Sequence, residues 1–329
     1  MEPLPSNSTT RFYLDSLLTP LAPWLSKDDV TDIFINVPGE IWIERLGGKI
    51  ERHVDAALTE RLLVRLARQI AAYGSQGISR AAPLLAASLP DGSRVQVIAP
   101  PATRGNHVFA IRRHVKGNFS LSDWRDSDAF SGLSKGAISI DRERVWQRVG
   151  EHEAAAALLD AVRTRRNIII SGGTSSGKTT FLNALLAEIP LGERLLTIED
   201  TEELRINHPN AVGLIAARGP MAEADVTAED LLIAALRMRP DRIILGELRG
   251  AEAFTFLRAV NTGHPGSMTT IHADTPQRAI EQLALLVLQT GSRLSRDDVR
   301  HYVRESIDVF VQLDRRDGKR RVSEVMIAE

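Results

Sequence analysis

The chain has 329 residues, enough for about two domains that each bury a core. With 43% hydrophobic residues, 25% charged residues and a formal net charge of −1, it has a globular profile and offers no electrostatic argument for nucleic acid as a partner. The absence of cysteine excludes disulfides, Cys-ligated zinc and thiol catalysis, and suits a reducing cytoplasm. No apolar run approaches the ~18 residues needed to span a bilayer, and the N-terminus lacks the basic head and apolar stretch of a signal peptide.

Residues 1 to about 10 are polar and proline-bearing and read as a frayed lead-in. Residues 12–25 have the apolar spacing of a short helix, ended around Pro20 and Pro23. Residues 32–37 and 40–45 alternate with period two across Pro38-Gly39, which predicts two strands about a tight turn. Residues 59–73 place Leu62, Leu63, Leu66 and Ile70 on one helical face. Residues 93–98 and 107–112 again read as strands, so residues 1–115 are expected to form a compact α+β domain.

Residues 116–136 are rich in Ser, Asp and Gly and read as a linker that docks by Phe119, Leu121 and Trp124. Over residues 137–329 the pattern becomes helix, strand, glycine-rich loop, helix, strand, as expected for an α/β domain with a mainly parallel sheet covered on both faces. The candidate parallel strands are 167–171, 195–199, 211–215, 242–246 and 267–271. Near the end, alternating runs at 307–313 and 321–325 flank Asp317-Gly318, the signature of a hairpin.

The glycine-rich loop reads Gly172-Gly173-Thr174-Ser175-Ser176-Gly177-Lys178-Thr179, a complete G-x-x-x-x-G-K-[ST] pattern between a β-branched run and a helix-like stretch that opens at Thr180. Gly172 and Gly177 let the backbone close around phosphate oxygens, while successive N–H groups and the helix dipole face the anion. Lys178 can reach the β- and γ-phosphates, and the Thr179 hydroxyl can hold Mg²⁺. This is a nucleotide phosphate site, with ATP and Mg²⁺ as the expected cofactors.

Three further segments carry candidate chemistry. Leu195-Leu196-Thr197-Ile198-Glu199-Asp200 is an apolar strand ending in two acids. A strand following the P-loop helix can lie beside the P-loop strand, which would turn Glu199 toward the phosphates to polarise water or metal. The alternative is that both acids only open the next element. The buried run at 243–245 ends in Gly246-Glu247, again read as a strand beside the P-loop. Glu in place of the usual Asp, with Gly before it, suits positioning of the attacking water; Glu247 also joins Thr179 and Glu199 as a candidate around the metal. Finally, Gly263 and Gly266 flank His264-Pro265 in a turn, and the strand 267–271 ends in His272. His272 could hydrogen-bond the γ-phosphate and report hydrolysis, with His264 as a second candidate. Two histidines at this spacing, with no third nitrogen or sulfur ligand nearby, do not make a helical metal site.

In this order, the P-loop, the acidic box Thr197-Ile198-Glu199-Asp200, Gly246-Glu247-Leu248-Arg249 and the histidine box 262–272 resemble the secretion-superfamily ATPases. The wording Gly263-His264-Pro265-Gly266-Ser267-Met268-Thr269-Thr270-Ile271-His272 and the hairpin 36–45 are most similar to the VirB11-type ATPases of type IV secretion systems. The four-cysteine zinc motifs of many type II secretion ATPases cannot exist here. The resemblance implies a RecA-like P-loop NTPase domain after a smaller α+β domain, assembled as a homo-hexamer with ATP at the hinge. It also implies an N-terminal-domain arginine on the terminal phosphates, for which Arg112 and Arg113 are the candidates. A planar donor fork there would stabilise γ-phosphate charge; the other reading is a solvated basic pair.

The expected protein is a cytoplasmic ATPase, peripheral to the inner membrane, that powers a type IV secretion system. Its expected partners are other ATPases and inner-membrane components of that system. The alternatives are a conjugation-transfer or pilus retraction motor, a nucleic-acid translocase, and a scaffold that binds ATP without turnover. A retraction motor is expected to carry a further C-terminal helical extension.

Overall fold

The computed structural model describes residues 7–113, 144–217, 223–316 and 319–328, so the linker expected over 116–136 lies outside the described residues. Helix α1 (Asn7–Leu17) begins within the expected lead-in, and a 3₁₀ turn (Thr19–Leu21) and α2 (Ala22–Leu25) complete what reads in sequence as one helix. A proline has no N–H to donate and crowds the preceding turn, so a single helix cannot run through Pro20 and Pro23. Each of the two suits the first turn of a new segment instead.

Strands β1 (Val30–Ile35) and β2 (Glu40–Arg45) pair antiparallel around Gly39, whose φ is 79°. After them come β3 (Ile50–Val54), α3 (Glu60–Tyr73), β4 (Leu84–Ser88), β5 (Arg94–Ile98) and β6 (Val108–Arg112). The six strands form an antiparallel sheet in the order β3-β2-β1-β6-β5-β4. Neither β3 nor β4 was expected: both are edge strands, one charged and the other alanine-rich, and pairing rather than propensity makes them strands. Thr59 caps α3 by accepting from Leu62 N, and the helix buries Leu63, Leu66 and Ile70 against Leu14, Ile33 and Ile41.

The second half begins with β7 (Trp146–Arg148), α4 (Ala154–Arg163), β8 (Ile168–Gly172) and α5 (Lys178–Leu186). Next are β9 (Leu195–Glu199), β10 (Ala211–Ile215), α6 (Ala228–Ala235), β11 (Arg242–Leu245), α7 (Glu252–Asn261) and β12 (Met268–Ile271). Helices α8 (Pro276–Gln289) and α9 (Arg296–Ser306) lead to the hairpin β13 (Val309–Arg316) and β14 (Lys319–Ala328).

The sheet order is β10-β9-β11-β12-β8-β13-β14-β7, parallel from β10 to β13 and antiparallel beyond. Neither acidic strand is a neighbour of the P-loop strand, contrary to expectation: β8 lies between β12 and β13, with β11 and β9 further out. The chain leaving β8 crosses far enough for two later strands to fill the gap. The crevice opens where the winding reverses, at the shared carboxyl edge of the parallel strands.

The two sheets meet directly. Phe34, Trp42, Ile98 and Val108 join one apolar cluster with Val212, Leu214, Ala216 and Val226. Arg239 Nη2 bonds Glu44 Oε1 at 2.5 Å, while the fully buried Arg194 reaches Asn36 Oδ1 at 3.0 Å and stacks 4.0 Å from the Phe34 ring centre. Burial lowers the Arg194 pKa to about 9.

A second buried arginine fixes the far ends of the central strands. Arg242 opens β11 and forms two 2.8 Å bonds with Glu193, just before β9, plus one of 2.7 Å to Val162 O. Gly266 makes room for it: at φ 79°, a Cβ there would stand 2.7 Å from Arg242 Nη1 and 3.1 Å from Arg165 Cα. Removing one member of a buried pair strands the other, so Arg242→Ala is expected to lose about 3–5 kcal/mol in equilibrium urea unfolding. The double variant Arg242→Met/Glu193→Leu should lose less than Arg242→Met alone.

Candidate nucleotide-binding site

The carboxyl ends of β8, β9, β11 and β12 line one cavity of about 510 Å³, bounded by Thr174 to Thr180, Glu199, Asp200, Gly246, Glu247, Arg249, Thr270, His272 and Arg320. The P-loop closes as its sequence requires. Gly172 ends β8 where a Cβ would collide with Ser176 Oγ and stand 2.9 Å from Leu313 O. Ser175 takes φ 62°, and Gly177 caps α5 at φ 96° with the stem of Arg320 against it. The helix therefore starts at Lys178 with its amino end facing the cavity, and Thr179 and Thr180 stand in its first turn.

Lys178 is almost fully buried. Its Nζ donates to Gly172 O at 3.0 Å and lies 3.4 Å from Gly173 O and from His272 Nδ1. Burial lowers its pKa, against a raising influence from Glu247, whose Oε1 is 3.9 Å away. That same Oε1 lies 2.9 Å from His272 Nε2, yet it is buried and has no aligned hydrogen-bond partner among the described residues. Ser176 Oγ is buried and unpartnered in the same way. Two buried oxygens without an aligned hydrogen bond, in a cavity lined by a desolvated ammonium, mark a place prepared for a polar ligand.

The other oxygen of Glu247 is held by Arg249, whose Nη1 also bonds Asp200 Oδ2 at 2.9 Å. Arg249 thus bridges the ends of β9 and β11 and leaves Oε1 of Glu247 facing the cavity. Gly246, read in sequence as room for Glu247, serves a different neighbour: a Cβ there would touch Glu199 Cγ at 3.4 Å. Lys178, Glu247 and His272 come together as a group.

Glu199 lines the cavity but its carboxylate is occupied, in contrast to its expected roles toward water and metal. Oε2 accepts from Glu203 N at 2.8 Å and Leu204 N at 2.7 Å, and Oε1 is bonded by Arg104. The two expected arginines do not reach the cavity within the chain. Arg112 ends β6 exposed, in register with Asp32 and Arg94. Arg113 donates to the carbonyls of Lys27 and Val30 and closes the end of β1. His264 is set apart as well, with Nδ1 3.3 Å from Pro240 O and a pKa lowered by burial.

Sequence reasoning missed Arg104, Arg249 and Arg320. Arg249 stood inside a quoted motif with no role given to it. Arg320 lies in β14, 142 positions after Lys178, with no local pattern to tie it to the P-loop. Among the described residues no group of three His, Asp or Glu side chains could hold a metal by itself, and no helix is long and apolar enough to cross a membrane.

These features have counterparts in known proteins. The model of the family described as type II/IV secretion system protein matches residues 144–317. The type IV secretion system protein VirB11 of Bartonella henselae is 38% identical, with 97% of this chain and 94% of that protein covered. PtlH of Bordetella pertussis, also a type IV secretion system protein, is 39% identical over 95% of this chain and 94% of its own length. The crystal structure of the VirB11 ATPase from the Brucella suis type IV secretion system superposes with a TM-score of 0.85 at 34% identity, covering 97% of this chain and 96% of that one. By sequence along nearly its whole length and by fold, the chain belongs to the type II/IV secretion ATPase family, in its VirB11 branch.

Proposed function

We propose that this protein is a Mg²⁺-dependent ATPase that works as a homo-hexameric ring and powers a type IV secretion system. The observation that carries the reading is the buried Glu247 Oε1, set between Lys178 at 3.9 Å and His272 at 2.9 Å with no aligned hydrogen bond, at the mouth of the P-loop. In hydrolysis a water oxygen bonds to the γ-phosphorus, the bond to the β,γ-bridging oxygen breaks, and ADP and phosphate leave. Glu247 Oε1 accepts a hydrogen bond from that water and aligns it. Lys178 turns from the loop carbonyls to the β- and γ-phosphates and neutralises their charge. His272, half-exposed at the end of β12, donates to the γ-phosphate and distinguishes ATP from ADP.

The oxygen donors of the cavity suit a hard divalent cation. Thr179 and the nucleotide phosphates would hold Mg²⁺, with Glu247 close by; Mg²⁺ supplies charge neutralisation on the phosphates. Glu199 stays engaged by Arg104 and joins the metal only if that bond opens. We place the domain boundary in residues 116–136, with the N-terminal part free to shift against the ATPase part. Location in the cytoplasm, attachment to the inner membrane and contact with other secretion ATPases and inner-membrane components belong to the same proposal.

The ring gives Arg112 a task that the single chain does not. Arg112 and Arg94 stand side by side on β6 and β5, both exposed, with the buried Asp32 opposite Arg112 on β1, and the terminal phosphate of ATP bound in a neighbouring subunit would lie against the two arginines.

Two expectations test these assignments. Lys178→Ala should weaken nucleotide binding and abolish phosphate release, while Glu247→Gln binds nucleotide nearly as wild type and turns over roughly 10²-fold more slowly. Equal loss of affinity in both variants would remove Glu247 from its role. Arg112→Ala should keep ADP affinity and lose most turnover. Mixing Arg112→Ala with Lys178→Ala subunits should then restore part of the phosphate release, since each supplies what the other lacks. Wild-type turnover by Arg112→Ala would remove the arginine from the reaction. A chain that stays monomeric and inactive with ATP, by sizing and phosphate release, would overturn the motor reading.

A further inference from the structure

Arg104 leaves the loop between β5 and β6 and crosses onto the ATPase sheet. The backbone beside it is fixed first: Ala102 O accepts from Ile215 N at 3.1 Å, and Thr103 pairs antiparallel with Leu214. These residues add a short extra rung to β10, the edge strand of the larger sheet. The Arg104 stem then runs over Gly213, where a Cβ would stand 2.5 Å from its Cδ and collide with its Nε. Glycine in the middle of a strand is otherwise unfavourable, so its presence here marks the close approach. The guanidinium ends on Glu199 Oε1, on Glu202 Oε1 at 3.1 Å and on Leu204 O at 3.1 Å.

Glu199 is thus a nearly buried carboxylate on the wall of the nucleotide cavity, and the cation that bonds it comes from the other domain. Nucleotide brings a polyanion into that cavity. A Glu199 compensated by Arg104 repels it little; an uncompensated one repels it strongly at low dielectric.

We propose that Arg104 is a positioning residue that makes the affinity of the site for polyphosphate depend on docking of the N-terminal domain. With the 102–104 rung seated on β10, Arg104 offsets the Glu199 charge and nucleotide is accepted. When the rung lifts, Glu199 keeps its two backbone N–H bonds but loses its cation, and its charge opposes the phosphates. By reciprocity, nucleotide in the cavity holds the rung down by the same factor. Gly213 is the gap through which this coupling passes. The inference rests on the ATPase reading of the cavity and adds to it a specific line from domain to site.

The test is a titration of the full chain with a fluorescent ADP in EDTA, so that no divalent cation masks the charge. Arg104→Gln should weaken binding about tenfold, on the order expected for one uncompensated charge within several ångströms at intermediate dielectric. Glu199→Gln placed in that background should restore affinity, a result that loss of structure alone cannot give. Gly213→Ala, which keeps the arginine but displaces it, should weaken binding in the same direction and serves if Arg104→Gln does not fold. Added Mg²⁺ should narrow the gap between Arg104→Gln and wild type. ADP should also slow amide exchange at Ile215 in wild type and not in Arg104→Gln. Equal metal-free affinity for wild type, Arg104→Gln and Gly213→Ala would overturn the coupling, as would failure of Glu199→Gln to restore binding. A wild-type chain that binds no nucleotide would overturn the ATPase reading itself.

Discussion

The Lys178 ammonium is held out of water by the carbonyls of Gly172 and Gly173, with burial lowering its pKa and the nearest carboxylate oxygen 3.9 Å away. Carbonyl dipoles offset only part of the cost of desolvating a charge, so the cation is left under-compensated until an anion arrives. Much else follows from keeping it there. The loop must curl tightly enough to present its carbonyls inward, which demands a positive φ at Ser175 and Gly177 and no side chain at Gly172. The missing Cβ at Gly172 also lets β13 run close beside β8, since Leu313 O would otherwise be 2.9 Å from it. The glycine that lets the loop curl thus also leaves room for the strand next to the P-loop strand.

This arrangement explains why the residues that line the cavity were legible in the sequence while the strand order was not. Parallel strands share a carboxyl edge whatever their order, so acids and a histidine at strand ends meet the P-loop even with β12 and β11 between β8 and β9. The motif residues Lys178, Glu247 and His272 could be named from that rule alone. Arg104 could not, because it lies in a loop without periodicity and its partner is 95 residues away. The one sequence trace of it is Gly213, a glycine inside an apolar strand. The adjacent arginines show the same limit from the other side: spacing cannot tell which way two neighbours on a strand point. Arg113 turns to the carbonyls of Lys27 and Val30 while Arg112 stays exposed. In the sequence the glycine before Glu247 reads as suiting Glu247, and Gly263 and Gly266 read only as flanking a turn. Gly246 accommodates the Glu199 stem, and Gly266 the buried Arg242.

The contact between the two sheets differs in kind from the cores on either side. It combines apolar packing through Phe34, Trp42 and Val108 with a buried polar layer of Asn36, Glu44, Arg194, Asn210 and Arg239. Within that layer Glu44 Oε2, Arg194 Nη2 and Asn210 Nδ2 are buried with no hydrogen-bond partner among the described residues. Burial also raises the Asp32 and Glu44 pKa values and lowers that of Arg194, so these charges are held at a cost. A half-satisfied polar layer is weaker than an apolar one of the same area, whereas the sheet interiors on both sides are closely packed and apolar. The unsatisfied groups of that layer therefore cost stability where the two sheets meet. A ligand can bias such a surface only by binding its docked and undocked forms differently. The Arg104–Glu199 bond is where that difference can arise, because it joins the inter-sheet surface to the wall of the P-loop cavity.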